Sequence, residues 1–95
     1  MKMSEKYIEQ QLVLEIKKRN GLCLKFVSPG WNGAPDRLVL LPDGKMGFVE
    51  VKAPGGKVRA LQIHRLKHLM MLGFIVFILD KPEDIGEILD AIQGT

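Results

Sequence analysis

Asp36-Arg37-Leu38-Val39-Leu40-Leu41-Pro42-Asp43-Gly44-Lys45-Met46-Gly47-Phe48-Val49-Glu50-Val51-Lys52 is the stretch that decides the fold. Two apolar runs flank Pro42-Asp43-Gly44, which suits a three-residue hairpin loop: a type I turn followed by a left-handed glycine. Proline presets φ at the first loop position, and glycine accepts positive φ at the third. With that loop, residue 41 faces 45, 40 faces 46, and the series runs down to 36 facing 50. Directly opposed residues point to one face of a sheet, with Cβ atoms about 4.5–5.5 Å apart. Asp36 and Glu50 are therefore expected side by side. Lys52, two residues beyond Glu50, projects from the same face.

Outward from this hairpin, Pro and Gly divide the chain into alternating helical and strand-like runs. Ser4 is a suitable N-cap for a helix to about Asn20, and Gly21 is a suitable stop. At 100° per residue Glu5, Leu12, Val13 and Ile16 share a stripe, and Glu9 falls inside it, toward the core. Leu22–Val27 reads as a strand, and Ser28–Pro35 as a loop. The hairpin strands run from Asp36 to Leu41 and from Met46 to Lys52. Pro54-Gly55-Gly56 breaks the chain again. Arg59–Leu72 reads as a second helix ended by Gly73. Gln62, Leu66, Leu69 and Gly73 lie on one face of it, so Gln62 is a polar group on an inward stripe and needs partners. Phe74–Leu79 reads as a buried strand, and Pro82 opens a last helix to about Ile92. The order αβββαβα gives an α/β fold. Its mixed four-stranded sheet joins an antiparallel hairpin to a parallel crossover strand, flanked by helices, with a C-terminal helix.

Ninety-five residues make one domain, 1–95. The single cysteine, Cys23, rules out an intrachain disulfide and a cysteine zinc site. No apolar run approaches the about 20 residues that span a bilayer, and Met1–Lys6 carries no signal-peptide core. The expected location is cytoplasmic, with no membrane association. The formal charge of +3 is uneven, with a net −3 on residues 81–95 and +6 on residues 1–80. A basic body with an acidic tail suits a polyanionic partner, though a merely basic solvated surface fits as well.

Two carboxylates placed so close repel, unless a divalent cation sits between them. Oxygen ligands of this hardness suit Mg²⁺ or Mn²⁺. Such an ion polarises a phosphoryl oxygen and acidifies bound water, and a neighbouring lysine stabilises charge developing on the phosphate. The natural substrate of that set is a phosphodiester. The inward Gln62 and Glu9 are further polar groups for the same spot.

Pro35-Asp36 followed by Glu50-Val51-Lys52 resembles the PD-(D/E)-x-K nuclease motif. The wider pattern resembles the stand-alone phage or bacterial type of the virus-type replication-repair nuclease (VRR-NUC) domain. It takes in Glu5 to Glu9, Lys25–Gly30, Gly33–Arg37, Phe48–Ala53 and Leu61-Gln62. The resemblance implies a restriction-endonuclease-like αβββαβ core and a metal-dependent, structure-selective DNA endonuclease acting on branched DNA such as four-way junctions. It implies Asp36, Glu50 and the Val51 backbone carbonyl as metal ligands and Lys52 as the catalytic lysine. Glu9 would be the first-helix acid, binding the ion directly or through water, and Gln62 the second-helix glutamine. It also implies a homodimer, a place in replication, repair or recombination within a bacterial or phage-infected cell, and no nucleotide cofactor. A flap or duplex nuclease, and a non-catalytic nucleic-acid-binding module on the same fold, are the alternatives.

Expected DNA contacts are Lys25, Ser28, Trp31, Arg37, Lys57, Arg59 and Arg65. Lys25 either meets a phosphate or guards a sheet edge. Trp31 either stacks on a base or wedges into a junction, or else anchors a dimer or folds back on its own loop. His64 and His68 have the spacing of a helical metal pair, but they face outward with no third ligand, so they read as surface residues.

Overall fold

The computed structural model describes residues 3–95. Helix α1 spans Glu5–Lys18, followed by strands β1 (Leu22–Lys25), β2 (Arg37–Leu41) and β3 (Lys45–Val51). Helix α2 (Ala60–Met71), strand β4 (Val76–Leu79) and helix α3 (Ile85–Gln93) complete the chain. The sheet order is β1-β2-β3-β4, with β1/β2 and β2/β3 antiparallel and β3/β4 parallel. The mixed sheet expected from the element order is the one observed. No helix among the described residues is long and apolar enough to cross a membrane.

The hairpin register is the expected one, from Leu41 opposite Lys45 to Arg37 opposite Val49. The turn differs from a type I turn plus glycine. Asp43 is itself left-handed at φ 68, ahead of Gly44 at φ 72. Aspartate tolerates that region better than most residues, so the loop keeps its length and the register survives.

Alternation sorts the sheet residues onto two faces. Val39, Leu41, Val49, Val51 and Leu79 pack with Ile8, Leu12 and Ile16 of α1 and with Ile85, Ile88, Leu89 and Ile92 of α3. Each fully buried aliphatic side chain contributes about 1.5–3 kcal/mol, so this face carries most of the stability. The other face holds Phe48 and Glu50 and receives Leu66, Leu69 and Gln62 from α2.

Ser4 caps α1 as expected, its side chain accepting from the Tyr7 N–H at 3.0 Å. The stripe is rotated from expectation: Ile8, Leu12 and Ile16 are the buried residues, Glu5 is exposed and Glu9 sits at the flank. Three strands are shorter than expected, β2 by the single residue Asp36. β1 stops at Lys25, although the Phe26 N–H still reaches the Asp36 carbonyl at 2.9 Å. β4 starts at Val76 because Gly73 and Phe74 finish α2, their N–H groups bonding the carbonyls of Met70 and Leu69. Ile78 of β4 is exposed and not buried as expected. Pro82–Asp84 forms a 3₁₀ turn before α3 instead of its first turn.

Candidate active site

The ends of β2 and β3 meet where the chain enters β2 and leaves β3. Asp36 stands one residue before β2, on the face opposite Arg37. Its Oδ2 accepts the Val51 N–H at 2.8 Å. This bond fixes the carboxylate against the backbone of β3 next to Glu50. Lys52 follows β3 directly, and its N–H continues the sheet ladder to the Leu79 carbonyl at 2.8 Å. Val51 and Lys52, which follow Glu50, are therefore both held through their backbone N–H groups.

Glu50 is 1% exposed. Its Oε2 accepts from Gln62 Nε2 at 2.6 Å and lies 3.3 Å from Lys52 Nζ. Its Oε1 is buried and has no hydrogen-bond partner. Burial, then the charge of Asp36, push the Glu50 carboxyl up to about 7, against the pull of Lys52. An acid in this state is short of positive charge: one ammonium does not compensate two carboxylates in a nearly dry place.

Gln62 comes from the buried face of α2 and does two things. Its Oε1 accepts the Arg59 N–H at 3.0 Å, closing the first turn of α2, while its Nε2 holds Glu50. The partners that an inward glutamine needs are thus a helix end and the buried acid. Arg59 stands at the N-cap, where Ser, Thr, Asp or Asn is usual.

The structure brings Asp36, Glu50, Val51, Lys52 and Gln62 together and leaves Glu9 outside the group. Glu9 Oε2 accepts from Arg37 Nε at 2.8 Å, and Arg37 Nη1 also donates to the Cys23 carbonyl at 3.2 Å. Arg37 points to the α1 face of the sheet, opposite Asp36 and Glu50. Among the described residues no three His, Cys, Asp or Glu side chains gather as a metal-binding group. Arg37, expected as a DNA contact, is engaged in this pair with its side chain 12% exposed. The pair was not legible in the sequence, since it joins a helix flank to a strand across 28 positions.

Lys25 is exposed and lines a shallow groove with Lys6, Glu9 and Arg37. Ser28 is half-buried, and its carbonyl accepts the Trp31 N–H at 3.1 Å. Trp31 is half-buried with the Arg65 guanidinium 4.9 Å above its ring, and Arg65 Nε donates to the Asn32 carbonyl at 2.7 Å. The ring is thus packed by a side chain of α2. Lys57 and Arg59 are exposed, and neither has an acidic partner among the described residues. His64 and His68 are exposed. Burial pushes the Cys23 thiol up, which keeps it protonated.

The carboxylate oxygens of Asp36 and Glu50 are of the kind that suits an ion that takes hard ligands and keeps several waters. Glu50 Oε1, buried without a donor beside the Asp36 carboxylate, needs positive charge that a cation, or a proton shared with Asp36, supplies.

A protein named "Putative nuclease p44", from Acyrthosiphon pisum secondary endosymbiont phage 1, is 49% identical over 89 residues, 94% of this chain and 95% of its own length. A solved structure described as "VRR_NUC domain" aligns with a TM-score of 0.83 at 26% identity, covering 90% of this chain and 94% of that one. No family model matches the chain.

Proposed function

The chain belongs to the VRR-NUC nuclease family, and on that premise we propose that it is a DNA endonuclease dependent on Mg²⁺ or Mn²⁺. The observation that carries the metal dependence is Glu50, a buried acid with one orphaned oxygen, raised toward neutrality beside a second carboxylate. Asp36, Glu50 and the Val51 carbonyl would hold the ion. When bound, the ion supplies Lewis-acid polarisation of the scissile phosphodiester.

The side chains divide the remaining work. The Val51 N–H and Gln62 Nε2 orient the two acids before substrate arrives, which removes reorganisation from the reaction. Lys52, 16% exposed, can swing from Glu50 to the phosphate and hold the charge that builds on its oxygens or steer the attacking water. Glu9 acts at a distance: through Arg37 it ties α1 to the strand that follows Asp36. Exposed Lys25, Lys57 and Arg59 would hold the phosphate backbone, so binding should weaken steeply with salt. Branched DNA as the preferred substrate, and an origin in a bacterial or phage-infected cell, rest on family membership. A homodimer is the reading for the exposed Met70, Met71 and Leu72 at the end of α2 and Leu22 and Leu24 on β1. A dimer mass by light scattering at assay concentration supports it, and a monomer that cleaves fully refutes it.

The test of activity is nicking of supercoiled plasmid and a four-way junction with Mg²⁺, Mn²⁺ or EDTA. Cleavage with either ion, lost in Asp36→Ala and Lys52→Ala, supports the assignment. DNA binding without cleavage under every divalent ion makes the protein a non-catalytic module.

A further inference from the structure

Between the β1–β2 loop and the start of α2 lies a cavity of about 450 Å³, lined by Asn32, Gly33, Arg59, Leu61 and Gln62. The loop is clamped to the helix rather than draped over it. Arg65 stacks on Trp31 and donates to the Asn32 carbonyl. Gly33 takes φ +84, and a Cβ there would stand 2.9 Å from Leu61 Cγ. The cavity is thus preformed, at a size within the usual range for a small ligand.

Its lining includes Gln62, whose side-chain amide holds Glu50, so the cavity is one side chain away from that acid. Its lining also includes Arg59, exposed and without an acidic partner among the described residues. A cation at the N-cap opposes the positive end of the helix dipole, a cost that an anion on Arg59 would offset. Lys57, two residues earlier, is likewise exposed and without an acidic partner among the described residues. The apolar Leu61, the amide of Asn32 and the Arg59 cation suit a ligand with a partly apolar body and a phosphate.

We propose that this cavity seats the nucleotide flanking the scissile phosphodiester, unpaired from its complement, with its phosphate on Arg59. The assignment rests on the nuclease reading of the adjacent carboxylates. A base stacked inside a duplex does not enter a side cavity, whereas one at a branch or frayed end does. Arg59 is then a specificity-determining residue that favours branched over fully paired DNA.

The experiment compares the wild type, Arg59→Ala, Arg59→Lys and Leu61→Trp on a fully paired duplex and on a branched DNA carrying unpaired nucleotides. Fluorescence anisotropy without divalent metal gives the salt dependence of binding, and cleavage with Mn²⁺ gives KM and kcat. For Arg59→Ala on branched DNA, KM should rise about tenfold, as for loss of a charged hydrogen bond. Its slope of log affinity against log salt should shrink by about 0.7–0.9, one phosphate contact. Mn²⁺ affinity and melting temperature should stay put, and Arg59→Lys should restore the slope. Leu61→Trp, which fills the cavity, should raise KM on branched DNA only. An unchanged slope and KM in Arg59→Ala, or equal effects of Leu61→Trp on both DNAs, overturns the cavity assignment. If nothing cleaves while the slope still shifts with Arg59 and Leu61→Trp weakens binding of branched DNA alone, the nuclease reading fails and a nucleotide seat in this cavity stands.

Discussion

Replacing Glu50 with glutamine should stabilise the metal-free protein at alkaline pH while abolishing its response to divalent ions. The Glu50 carboxyl titrates near 7 in the folded chain, against 4.5 for the ordinary group. The folded state therefore binds the proton more tightly than the unfolded one. The resulting stability is fully present below about pH 4.5 and is lost as pH rises through 7. At about 1.4 kcal/mol for each tenfold in proton affinity, the full loss approaches about 3 kcal/mol. For a domain of this size that is a fall in Tm of roughly 10 °C or more. The amide introduced by Glu50→Gln would still accept from Gln62 but cannot ionise, so this component vanishes from the variant. The assay is thermal unfolding from pH 5 to 8.5 in EDTA, then with millimolar Mg²⁺. The wild type should lose Tm relative to Glu50→Gln as pH rises, and Mg²⁺ at pH 8.5 should raise it again by mass action. Parallel pH profiles for the two proteins, or an equal Mg²⁺ gain in both, would refute the reasoning about Glu50.

Four further outcomes are expected. Lys52→Met should lower kcat by at least about 100-fold with Mn²⁺ affinity retained by calorimetry. Lost metal binding would make Lys52 a prop for Glu50 and nothing more. Gln62→Ala removes both a cap and a donor to a buried acid, so it should cost about 2–3 kcal/mol in urea unfolding and reduce turnover as well. Gly33→Ala places an L side chain at positive φ against Leu61, and a loss of about 1–2 kcal/mol is expected. An unaltered Tm would show that the loop is not clamped. Glu9→Gln should leave Mn²⁺ affinity within about twofold while lowering Tm, since Arg37 loses its charged partner. A tenfold loss of affinity would return Glu9 to the metal shell.

The site was legible wherever chemistry followed from backbone geometry. Pro42-Asp43-Gly44 sets the hairpin length whatever the exact dihedrals, so the register followed, and with it the meeting of Asp36 and Glu50. Gln62 was legible because helical spacing with Leu66 and Leu69 turns it inward. Glu9 lies at the rim and not in the core-facing stripe, because the stripe of α1 is centred on Ile8, Leu12 and Ile16, and a one-position rotation is enough to move an acid from the core to its edge. The Arg37–Glu9 and Arg65–Trp31 pairs were out of reach for another reason. Long side chains choose among several neighbours in space, and no local pattern fixes that choice. Strand ends shifted where helix closure competed for the same N–H groups, as at Gly73 and Phe74.

One amide both finishes the opening turn of α2 and grips the buried acid. Helix ends are where proteins fray first. Each brief unwinding there would let go of Glu50, so the working fraction of molecules at any instant is the fraction whose second helix is fully wound. Anything pressing on that first turn, a strand of nucleic acid included, would thereby govern whether the acid is in place.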